Sequence, residues 1–70
     1  MRDVRRTDVE VANPSRLQQR LDAAQRQADG EVGADEAAIN VRITGRATHM
    51  GEDYTLWWPV TYEVESRPHH

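Results

Sequence analysis

Cysteine is absent from the chain, so no disulfide can brace it. Lysine and phenylalanine are absent too, and all nine basic residues are arginine. Both missing residues have AT-rich codons, which points to a GC-rich genome. A short accessory protein of a GC-rich bacterium or its phage fits the chain's traits, though the codon bias itself speaks of mutation pressure and not of function. Without thiolates, and with three histidines, a structural zinc site is not expected. No other cofactor motif is present. No apolar run approaches the ~20 residues that span a bilayer. The arginines at the start (Arg2, Arg5, Arg6) lead into no apolar stretch, so a signal peptide is not expected and the cytoplasm is the default compartment.

Seventy residues suffice for one domain, residues 1–70. A chain this short hides only about 60% of the surface its unfolded form exposes. With disulfides and metals set aside, self-association is the remaining support, and a homodimer is expected. The net charge of −3 argues against a general nucleic-acid binder. It is unevenly spread: residues 1–29 carry six Arg against five acids, and residues 30–70 three Arg against seven.

Residues 7–11 alternate polar and apolar side chains, the period of a half-buried strand, with 1–6 expected to be frayed. Asn13-Pro14-Ser15 reads as a helix start, with Asn13 as cap and Ser15 competing. Residues 15–29 are good helix formers with no β-branched member, and Leu17, Leu21, Ala24 and Ala28 form one apolar stripe. Gly30 is expected to stop the helix and residues 30–36 to form a flexible connection.

Two alternating runs follow, 39–47 and 54–64, joined by Met50-Gly51-Glu52-Asp53. Pairing outward from that turn sets Ile43 against Val60, Arg42 against Thr61, Gly45 against Trp58 and Arg46 against Trp57. It also sets Val41 against Tyr62 and Ile39 against Val64. Ile39, Val41, Ile43, Gly45 and Ala47 then share an apolar face with the even-numbered residues of the last strand. A one-residue slip would oppose apolar to polar side chains along the ladder. Pro59 lacks an N–H, which favours a four-residue loop closed by His49 and Tyr54, with the last strand at a sheet edge. The fold class is therefore α+β: β-α-β-β, a three-stranded sheet with one helix on one face and a long C-terminal β-hairpin. An edge position for the last strand places the first strand parallel beside the second. The competing order places it antiparallel to the last. Residues 66–70, with His69 and His70, read as a tail.

His49, Glu52 and Asp53 match no ligand spacing and are ordinary turn chemistry, so no catalytic, metal or cofactor site is assigned. The sheet face away from the helix is different. It is expected to carry Trp57, Arg46, Arg42, Thr55 and Thr61. Arg46 could simply stack on Trp57. Trp and Arg together also characterise protein interfaces, and aromatic sheet faces with arginines hold single-stranded nucleic acid. The leading expectation is a non-enzymatic interaction protein (adaptor, inhibitor or regulatory subunit) with a protein partner and a second copy of itself. A nucleic-acid-binding module is the alternative.

Overall fold

The structure, a computed structural model, describes residues 3–50 and 52–66. Arg2, Gly51 and the expected tail from residue 67, including His69 and His70, lie outside the described residues. The elements run β1 (Asp3–Ala12), α1 (Leu17–Glu31), β2 (Glu36–Ile43), β3 (His49–Met50) and β4 (Thr55–Ser66). One helix packs on an antiparallel sheet of order β1-β4-β2, with the short β3 also paired to β4. The α+β class and the C-terminal hairpin are as expected.

The strand order corrects one expectation. β4 lies at the centre of the sheet, with β1 antiparallel on one side and β2 on the other. The first and second strands are thus parallel but separated by the last, which is the competing order. Pro59 tolerates a central position because of where its nitrogen points. The Asn13 N–H donates to the Tyr54 carbonyl at 2.8 Å, which fixes the phase of the β1–β4 ladder. Alternation from that bond makes Asp8 and Pro59 a non-hydrogen-bonded pair. The proline nitrogen faces the other side, where the chain leaves the ladder. Thr44 N–H donates to the Pro59 carbonyl at 3.0 Å, Thr48 N–H to the Trp57 carbonyl at 2.8 Å, and the residues between bow outward. The regular β2–β4 pairing ends at Ile43 and Val60, so the missing N–H of Pro59 falls where the ladder is already interrupted.

The register of the hairpin is correct in its middle and shifted at both ends. Ile43 pairs with Val60 and Arg42 with Thr61 as expected, but Ile39 pairs with Glu63 and Ala38 with Val64. A bulge at Asn40-Val41 sets two residues against one. Asn40 takes φ of 50°, a left-handed conformation that asparagine tolerates, and its amide donates to the Glu63 carboxylate. The extra residue exchanges faces, so Ala38 is buried before the bulge while Val41 and Ile43 pack on the core after it. At the other end His49 pairs with Trp57 and Met50 with Leu56, replacing the expected His49–Tyr54 closure. Gly45 and Ala47 lie in the bowed segment and do not meet Trp58 across a ladder.

Both outer boundaries move. β1 begins at Asp3, within the stretch expected to fray. Asn13 completes the β1–β4 ladder and does not cap the helix. The cap is Arg16, whose backbone N–H donates to Gln19 Oε1 at 2.7 Å. Leu17 is consequently the first helical residue and is 60% exposed, outside the stripe it was assigned to. Ala24 and Ala28 are fully buried, and their small side chains let the helix sit close on the sheet. Gly30 lies inside the helix, which ends at Glu31. The expected flexible connection shortens to 32–35, closed by Glu36 N–H to the Gly33 carbonyl and Gly33 N–H to Glu36 Oε1.

The core is small: Val9 and Val11 of β1, Ala24 and Ala28 of α1, Ala38 of β2, and Val60, Tyr62 and Val64 of β4. The even-numbered residues of β4 from 58 to 64 thus face the helix. Tyr54, at the loop, is 81% exposed and does not.

Candidate functional site

Two groups of chemically versatile side chains emerge, one on each face of the sheet. Beneath the C-terminal end of α1, the Tyr62 hydroxyl donates to Glu31 Oε1 at 3.0 Å and the Thr7 hydroxyl donates to Glu31 Oε2 at 2.6 Å. Gln27 Nε2 donates to the same oxygen at 2.8 Å. The Thr7 and Gln27 donors, followed by Tyr62, hold the Glu31 carboxyl below the usual carboxylate range against the opposing effect of desolvation. Burial, and then the Glu31 carboxylate, pushes the Tyr62 phenol up. Every polar group in this set has a partner within the set, and together they pin the helix end to β1 and β4. That is a structural latch.

Among the described residues, no helix lies over the opposite face. Along β4 it displays Thr55, Trp57, Pro59, Thr61 and Glu63, since the even-numbered neighbours turn to the core. β1 contributes Val4, Arg6, Asp8, Glu10 and Ala12, the residues paired with those positions. β2 contributes Arg42 opposite Thr61, and β3 contributes His49 opposite Trp57. The four expected residues Trp57, Arg42, Thr55 and Thr61 are therefore on one face. Arg46 belongs to the bowed segment 44–48 and pairs with no β4 residue.

Trp57 is half-buried, and its cross-strand aromatic neighbour is His49, with ring centroids 5.5 Å apart and planes inclined by 16°. The expected pairing of Arg46 with Trp57, and the stack it would allow, is replaced by this pair. A cation–π contact lies on the other face, where the Arg20 guanidinium sits 4.6 Å from the Trp58 ring centroid. Arg20 also donates through Nη2 to the Ser15 carbonyl at 3.1 Å. Of the neighbouring threonines, Thr55 has two acceptors for its single hydroxyl proton, Glu10 Oε2 at 2.7 Å and the Glu52 carbonyl at 2.8 Å. A shallow depression of about 230 Å³ opens around Pro59, walled also by Arg6, Asp8, Thr44 and Thr61. Two arginines flank Thr61 and two acids flank the Pro59–Trp57 stretch, so the face carries both signs of charge around a neutral centre.

Sequence reasoning did not place Arg6, Asp8 and Glu10 on this face, because it set β1 beside β2. Their alternation with Val9 and Val11 carried the signal, and only the strand order was missing. His49, Glu52 and Asp53 form no joint site: His49 faces Trp57, while the other two lie in the loop, where Asp53 takes φ of 56°. Among the described residues, no group of three His, Asp or Glu side chains is placed to hold a metal ion. No helix among them is long and apolar enough to cross a membrane. Comparison with known proteins finds no matching family model, no matching curated protein and no matching solved structure.

Proposed function

We propose that the chain is a non-enzymatic, cytoplasmic protein-interaction module, homodimeric, whose docking surface is the uncovered face of the sheet. The observation that carries this reading is Trp57, held half-exposed on a face that no element among the described residues covers. Protein interfaces combine a desolvated aromatic or aliphatic centre with a polar rim, and Trp and Arg dominate their binding energy. Trp57, Pro59 and Thr61 supply such a centre, and Arg6, Arg42, Asp8 and Glu10 supply the rim. The stack on His49 holds the indole in one orientation, which lowers the ordering cost of binding. Acidic residues interleaved with the arginines favour a protein over a nucleic acid, whose phosphates they would repel.

Replacing Trp57 by alanine is expected to weaken partner binding by roughly thirtyfold, the effect of losing an interface anchor worth about 2 kcal/mol. Quantitative capture from the host's own extract by wild type and W57A measures it. Equal capture by both would contradict the reading. Salt-sensitive binding of a fluorescent single-stranded oligonucleotide, lost in W57A, would transfer the face to nucleic acid.

A further inference from the structure

The free edge of β1 has a use that the Trp57 face does not account for. Its ten residues pair with β4 without irregularity, and Asn13 adds a further bond to Tyr54. By the alternation of an antiparallel ladder, the odd-numbered residues from Asp3 to Val11 direct N–H and C=O to β4. Val4, Arg6, Asp8, Glu10 and Ala12 direct theirs away, and no strand among the described residues lies beside them. A long, regular, proline-free edge is a template for another strand. The opposite edge is unlike it, because β2 is broken by the bulge at Asn40-Val41 and followed by the bowed segment.

We propose that two copies of the chain pair antiparallel through β1, about a two-fold axis at Thr7. This rests on the reading of the chain as a homodimer and supplies its surface. Charge singles out the second copy as the occupant and also sets the register. Outward-directed residues must meet outward-directed residues, so even positions pair with even positions. An axis at Thr7 sets Arg6 against the partner's Asp8 and Asp8 against the partner's Arg6, with Val4 against Glu10. An axis at Arg6 or at Asp8 sets that residue against its own copy, and an axis at Val9 sets Asp8 against Glu10. Like charges directly opposite destabilise a ladder, whereas opposite charges support it. Arg6 and Asp8 are both exposed and have no ion pair among the described residues, so both are free to make these contacts. The dimer would carry one continuous sheet of order β2-β4-β1-β1-β4-β2, with both helices on one face. Both Trp57 side chains would then lie on the other, giving a bivalent docking surface.

Sedimentation of the full chain tests this. Wild type is expected as a species of about 16 kDa, twice the 8.0 kDa chain. Asp8→Pro removes an outward N–H without touching the β1–β4 ladder, and is expected to give an 8.0 kDa monomer with an unchanged circular dichroism spectrum. Arg6→Asp should weaken the dimer by roughly tenfold. The exchange Arg6→Asp with Asp8→Arg should restore it, because opposite charges again face each other; this pair decides the matter if Asp8→Pro does not fold. A wild-type monomer at about 100 µM, with Trp57-dependent partner binding intact, would overturn self-association and leave the docking face standing. A dimer indifferent to Asp8→Pro and Arg6→Asp would overturn the β1 edge alone, and loss of that dimer in W57A would assign it to the Trp57 face.

Discussion

Replacing Tyr62 by alanine is expected to remove between about a third of the protein's stability and all of it. Tyr62 and Val60 are the largest fully enclosed side chains, each 1% exposed. Truncating a buried aromatic costs about 3–5 kcal/mol, from lost transfer energy plus the cavity left behind. A domain of this size has a total stability of about 3.5–10 kcal/mol, at roughly 0.05–0.15 kcal/mol per residue. The alanine variant also removes the hydroxyl that donates to Glu31, loosening the latch at the helix end. Tyr62→Phe separates the two contributions: it keeps the ring and should cost about 1 kcal/mol, the net worth of one hydrogen bond. Urea denaturation of both variants reads the difference. A Tyr62→Ala protein within about 1 kcal/mol of wild type would mean that the core is not where the structure puts it.

The adjacent tryptophans should respond very differently to the same substitution. Trp58 packs against the core and lies under the Arg20 guanidinium, so Trp58→Ala removes core volume and a cation–π contact together. Because the side chain is only partly buried, the cost should fall near the lower end of the core range, at about 3 kcal/mol. Trp57 stacks on His49 on the open face, and Trp57→Ala should cost about 0.5–1.5 kcal/mol, the worth of an aromatic pair. Chemical denaturation gives the order directly. The reverse order would exchange the two faces of β4, and with them the proposed docking surface.

Much of this arrangement was legible in the residues. Strict alternation along 54–64 identified which side of β4 meets the helix, because a one-residue slip would have buried polar side chains throughout. The pairs Ile43–Val60 and Arg42–Thr61 followed from the same argument. The helix was legible from composition, and Ala24 and Ala28 from spacing. What failed depended on distant parts of the chain. Read locally, Pro59 favours an edge, but its missing donor is equally accommodated where a neighbouring chain leaves the ladder, as segment 44–48 does. Nothing local distinguishes these two solutions. The bulge at Asn40-Val41 was hidden because Ala38 and Ile39 are both apolar, so either could have been the inward residue. Leu17 fell outside the core because Arg16 caps the helix, so that Leu17 is its first residue and stays exposed. For the candidate site, Trp57, Arg42, Thr55 and Thr61 were found through the hairpin alone. Arg6, Asp8 and Glu10 needed the strand order as well.

Both the docking face and the β1 edge depend on β4 being flanked on either side. Amide hydrogen exchange followed residue by residue in the NMR spectrum tests that most directly. Consecutive amides of residues 60–64 point alternately to β1 and β2, so all should exchange slowly, among the slowest in the chain. A pattern in which every second amide of that stretch exchanges as fast as a loop would put β4 at an edge and contradict the account.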